Sequence, residues 1–216
     1  MRYGESAFDI FYLLAAIITG VLILRKASDR SDQVVRLMGI SVLVLGCGDA
    51  FHLVPRVLNY FLDADFTAAL GIGKLVTSIT MTVFYVLLYQ IGCACFRVKE
   101  QRSVYLAVYV LAAVRIIICL FPQNGWIHNE SSMLWGILRN IPFVALGIIV
   151  MALYYQNRAQ IREFRHFWLW ILLSFAFYMP VAVLAGVVPV LGMLMLPKTI
   201  CYLAMIYGFY RYSLRS

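Results

Sequence analysis

The sequence predicts an all-α integral membrane protein, a bundle of seven transmembrane helices with its N-terminus outside and its C-terminus in the cytoplasm. Three observations carry that expectation. Of 216 residues, 63% are hydrophobic and only 13% are charged, a balance that soluble domains do not reach. The apolar residues fall into seven runs, each close to the ~20 residues needed to cross the hydrocarbon region of a bilayer. The basic residues gather in alternate connections, the asymmetry that marks the cytoplasmic side of a membrane protein.

The runs lie at roughly 7–25, 34–55, 68–92, 103–121, 135–155, 167–187 and 195–212. They occupy nearly the whole sequence, so residues 1–216 are expected to form one membrane domain. Of the 18 Lys and Arg residues, Arg25, Lys26, Arg30, Arg36, Arg97, Lys99, Arg102, Arg158, Arg162, Arg165, Arg211 and Arg215 flank the connections after spans one, three and five, or lie in the tail. The connections at 56–67 and 122–134 carry acids and aromatics instead, and Tyr60, Phe61, Trp126 and Trp135 fit an interfacial aromatic belt. The net charge of +8 is therefore a topology signal, and no nucleic-acid-binding motif accompanies it. The expected location is a cell membrane, either a plasma membrane or a bacterial inner membrane.

The first run follows MRYGESAFDIFYLL, which lacks the clustered basic start of a secretory signal; it reads as a span. Within it Glu5, Asp9, Tyr12, Ala16 and Thr19 recur at the three- and four-residue spacing that marks one helix face. The second run ends in GCGDAFHLVPR (46–56), where Asp49, His52 and Arg56 share a face by the same rule. The third carries Lys74, Ser78, Met81 and Tyr85 on one stripe. The fourth has a single ionisable cation, Arg115, about two turns below Pro122. The fifth has Arg139 and Asn140 beside Pro142, the sixth Ser174 and Tyr178 beside Pro180, and the seventh Lys198 and Tyr202 just after Pro197.

All six prolines fall in the outer half or the outer connections under this topology, so irregular backbone is expected there. The connection VVPVLGMLMLP has no charge and is expected to dip into the bilayer or cover a cavity, since non-helical backbone at that depth needs protein or water around it. The five cysteines sit within or at the edges of spans without metal-ligand spacing and read as packing residues. His128 and His166 read as surface residues, and Asn129-Glu130-Ser131 matches a glycosylation acceptor.

An ionisable side chain within lipid costs at least ~2.5–3.5 kcal/mol, so the polar stripes are expected to face the bundle interior. Arg56, Lys74, Arg115, Arg139 and Lys198 come from five spans, and their convergence leaves a positive excess. Together with Asn140, Tyr178 and Tyr202 they are the expected ligand-binding residues, and the expected partner is an anionic lipid or a small phosphate- or carboxylate-bearing anion. A guanidinium fork suits such groups and a lysine adds a point charge. Asp49 and His52 are the catalytic candidates, because a carboxylate one turn from an imidazole can orient it for proton transfer. Alternatively Asp9, Asp49 and His52 hold a divalent metal such as zinc. The functions these features allow are a membrane-embedded hydrolase or transferase, a receptor that signals through a partner, and a small-anion transporter.

Two seven-span families are set aside. The arrangement superficially resembles the retinal proteins, but Lys198 lies near the outer end of its span and the third span has no acid to serve as counterion. The stretch DAFHL (49–53) resembles part of the seven-span zinc hydrolases of the ceramidase and adiponectin-receptor type, yet 195–212 lacks the histidine pair those enzymes place in the last span.

Overall fold

The computed structural model of the protein describes residues 2–99, 101–129, 132–184 and 188–215. Glu130 and Ser131 of the glycosylation acceptor, and residues 185–187 at the end of the sixth expected span, lie outside the described residues. The described residues form seven α-helices: α1 Arg2–Arg30, α2 Gln33–Phe61, α3 Thr67–Phe96, α4 Arg102–Leu120, α5 Met133–Gln156, α6 Phe167–Leu184 and α7 Met195–Arg215. Seven helical segments are long and apolar enough to cross a membrane, one for each expected span.

Local chemistry sets several helix ends. Asp32 caps α2, its Oδ1 accepting the backbone N–H groups of Val34 and Val35 at 2.8 and 3.1 Å, which satisfies two of the donors a helix start leaves free. Asp65, in the fully solvated turn before α3, accepts the Thr67 N–H at 2.9 Å, and the Thr67 hydrogen bonds hold its carboxyl below the ordinary carboxylate range. The α3 helix stops at Arg97, whose φ of 52° is left-handed, a conformation that ends helices.

The second helix overruns its expected end. Pro55 was expected to close the span, but α2 continues to Phe61 with Pro55 inside it. Proline removes the donor that would reach the carbonyl four residues earlier, here that of Phe51. At that point α3 comes in close: a Cβ on Gly73 would lie 2.2 Å from the Phe51 carbonyl oxygen. The neighbouring backbone covers the group that proline exposes, and the helix runs on.

Small residues also bring α1 and α2 together, since a Cβ on Gly46 would meet that of Ala16 at 2.9 Å, the close approach by which membrane helices gain van der Waals contact. The two ends of the bundle differ. At the end holding the basic connections, Phe96, Tyr154, Phe164, Phe167, Phe209 and Tyr212 form a continuous aromatic plug. Tyr154 stacks on Phe167 at 5.3 Å, and Phe164 stacks on Tyr212 at 5.1 Å and meets Phe209 edge-on. Offset and edge-on rings of this kind add attraction beyond their burial.

The opposite end holds the described connecting residues 62–66, 121–129 and 188–194. The prolines all lie at this end: Pro55, Pro142 and Pro180 inside helices, Pro122 and Pro189 opening 3-10 turns, and Pro197 in the first turn of α7.

Candidate functional site

The 3.6-residue period, applied to antiparallel neighbours, brings the ends of α2, α4 and α6 and the starts of α3, α5 and α7 to the same level. Between them lies a cavity of about 780 Å³, within the range of small-molecule sites. His52, Arg56, Lys74, Arg115, Arg139, Tyr178 and Lys198 all line it. Every cation expected to converge does so, and among the described residues no carboxylate lines the cavity. Apolar side chains complete the wall, among them Met81, Phe143, Val181 and Met195. The uncharged connection reaches the cavity through Gly192, in the 3-10 turn Pro189–Leu194, and so contributes to its wall.

The cations are held unequally. Arg56 forms an ion pair with Glu5 of α1, and Tyr60 donates to the same carboxylate at 3.2 Å. Among the described residues the remaining ion pair is that of Arg215 and Glu163 at the other end, so Lys74, Arg115, Arg139 and Lys198 form no ion pair with a described residue, although Asp49 attracts Lys198 from beyond contact distance. Lys74 donates to the Asn129 side-chain oxygen at 2.7 Å, and Arg139 donates to that of Asn124 at 3.0 Å. Lys198 is 6% exposed and lies over the rings of Tyr178 and Tyr202 at 4.8 and 5.3 Å.

Arg115 is the extreme case. It is 1% exposed, its guanidinium lies over the Phe143 ring at 3.3 Å, and its Nε and Nη1 have no hydrogen-bond partner among the described residues. A desolvated cation–π contact is worth about 2 kcal/mol, less than the ~2.5–3.5 kcal/mol that an intramembrane arginine costs on the most lenient scale. Two unsatisfied buried donors add to the deficit. The fold has left a cation incompletely compensated at a cavity wall.

The expected Asp49–His52 pair does not form. Asp49 accepts a 2.7 Å hydrogen bond from the Tyr12 hydroxyl of α1, while His52 lines the cavity beside Leu70 of α3 and its Nδ1 has no partner. Three residues of helix turn the side chain by about 300°, which leaves the two about 60° apart around the axis. That is enough to send one into the α1 contact and the other toward α3. The metal grouping of Asp9, Asp49 and His52 fails for the same reason. Asp9 lies near Asp49 but its Oδ2 has no partner, and among the described residues no three His, Cys, Asp or Glu side chains are placed to hold a metal ion. A double-mutant cycle should read this directly: Asp49→Asn and Tyr12→Phe should couple in thermal stability, whereas Asp49→Asn and His52→Gln should add to within ~0.5 kcal/mol.

Two other expected ligand residues stand outside the wall. Asn140 donates to the Gly136 carbonyl at 2.8 Å and accepts from the Tyr178 hydroxyl at 3.0 Å, so it ties α5 to α6. Tyr202 is 2% exposed and supports Lys198 from outside the cavity. Conversely, sequence reasoning missed Asn124, Asn129, Phe143 and Trp126. Trp126, expected in an interfacial belt, is 8% exposed; its Nε1 donates to the Cys119 carbonyl at 2.8 Å, and Arg139 lies over its ring at 4.7 Å. The turn 122–129 folds inward because Asn124 donates to the carbonyls of Ile118 and Phe121 at the end of α4, and Gly125 takes the left-handed φ of 65°. The sequence signal for Phe143 was its position four residues after Arg139, one turn along the same face.

Comparison with known proteins finds no matching family model, no matching characterised protein and no matching solved structure.

Proposed function

We propose that this protein binds an anion bearing a phosphate or carboxylate group in a cavity that opens on the outer side of the membrane. The observation that carries the reading is Arg115, buried at the cavity wall with two guanidinium nitrogens unpartnered. Lys74, Arg139 and Lys198 surround the same space, and among the described residues no carboxylate stands in the wall. An anion there would accept charge-assisted hydrogen bonds worth ~1.5–3 kcal/mol each. The aromatic plug at the far end supports a one-sided binding site over a transport path, which needs polar access from both sides.

Titration with inorganic phosphate, followed by calorimetry on protein in nanodiscs, tests the reading. Arg139→Ala and Lys198→Ala should each weaken binding roughly ten- to a hundredfold. Unchanged affinity in both variants would contradict it.

The outward orientation follows the positive-inside rule. A cysteine introduced at Gln123, exposed at the cavity end, should react with a membrane-impermeant thiol reagent in intact cells in a background free of native cysteines. One at Gln160, exposed at the basic end, should not. The reverse pattern would turn the cavity toward the cytoplasm.

A second reading, a hydrolase or transferase, is favoured by His52, whose imidazole lines the cavity with the cations and makes it the candidate proton acceptor. Hydrolysis of a p-nitrophenyl phosphate probe by the wild type and not by His52→Gln would support it. No hydrolysis by the wild type would leave binding as the activity.

A further inference from the structure

Resting on the anion-binding reading, we infer that the anion carries an alkyl chain, and that this chain leaves the cavity sideways between α5 and α6 into a groove facing the bilayer. The groove has a volume of about 350 Å³ and is walled by Ile137, Ile141, Val144, Ala145, Ile148 and Met179. Its one polar lining residue is Asn140, and both hydrogen bonds of that side chain are directed within the protein. From Ile137 to Ile148 it runs about 16 Å down α5. Ile141 and Ile148 are 60% and 54% exposed, so the groove is open to lipid along its length.

Two features join the groove to the cavity. Val183 belongs to both walls. The partition between them is the hydrogen bond from Tyr178, which lines the cavity, to Asn140, which lines the groove. Both helices carry a proline at this level: Pro142 lies two residues from Asn140 and Pro180 two residues from Tyr178. Each proline leaves the carbonyl four residues earlier without its helical donor, and a helix missing such a bond bends more readily.

The chemistry of the two spaces is complementary in the manner of an amphiphile. The cavity gathers cations for a headgroup, and the groove gathers branched aliphatic side chains at the depth where an acyl chain lies. A small hydrophilic anion would use the first and have no use for the second.

The test compares inorganic phosphate with dodecyl phosphate in nanodiscs of zwitterionic lipid, using calorimetry corrected for partition of the alkyl phosphate into empty nanodiscs. The wild type should bind dodecyl phosphate at least tenfold more tightly than inorganic phosphate. Ala145→Trp, which fills the groove at a residue that lines only the groove, should remove that advantage and leave inorganic phosphate affinity unchanged. Ile148→Trp provides a second block lower in the groove, on a lipid-exposed position that tolerates bulk, and should shorten the chain length beyond which added carbons bring no further gain. A wild type that binds both probes equally, or groove variants that keep the full advantage of the chain, would overturn the inference while leaving the anion site standing. Failure of the wild type to bind either probe would overturn the anion reading itself, and this inference with it.

Discussion

Replacing Arg115 with leucine is expected to lower the affinity for inorganic phosphate by about a hundredfold or more, the scale at which truncating a buried, hydrogen-bonded charge acts. The same variant should melt no lower than the wild type when both are free of ligand. The two effects have one origin. In the empty protein Arg115 is a desolvated cation with a ring contact at 3.3 Å and two unpartnered nitrogens, and exchanging an imperfectly compensated buried charge for an apolar side chain of similar reach is commonly neutral or stabilising. On the anion-binding proposal, a ligand seated against the guanidinium would supply the acceptors that it lacks. A purely architectural arginine would behave oppositely, with a large loss of melting temperature and no specific loss of phosphate. Calorimetry and thermal unfolding on the same preparation separate the two.

The second large effect concerns the frame that carries the site. Gly73→Ala should destabilise the protein by about 3 kcal/mol, at the upper end of what overpacking costs. The added methyl would sit 2.2 Å from the Phe51 carbonyl oxygen and 2.8 Å from the His52 Cα. These are backbone atoms of α2, which no side-chain rotation can clear, so the two helices must separate. The separation falls one residue from Lys74 and against His52 itself, both of which line the cavity. Ligand affinity should therefore drop together with stability, in contrast to Arg115→Leu. Gly192→Ala is the control: a Cβ there meets nothing within 4 Å, and its unfolding transition should match that of the wild type.

Much of the frame was legible in the sequence because a span needs ~20 predominantly apolar residues and a bilayer leaves little choice of backbone. The convergence of Arg56, Lys74, Arg115, Arg139 and Lys198 was legible for a related reason. A cation within a span must turn inward, and antiparallel helices bring alternate ends to a common level. Pairings within that level were harder to read. Asp49 and His52 share a broad helix face, but the 60° between them decides which neighbour each one meets, and only the packing of α1 and α3 around α2 settles that. Trp126 misled for a different reason. An aromatic in an outer connection usually lies at the membrane interface, and the inward fold of the 122–129 turn depends on Asn124 reaching the carbonyls at the end of α4. Pro55 shows the same limit, since its tolerance inside α2 rests on a glycine of another helix.

The most direct test of the central claim is native mass spectrometry of the protein released from its own membrane in a mild detergent. The account predicts wild-type protein carrying a stoichiometric adduct whose fragment on activation is an anion containing phosphate or carboxylate, and Arg115→Leu protein without it. A wild type that flies free of any anionic adduct, and acquires none when inorganic phosphate is added in excess, would contradict the account.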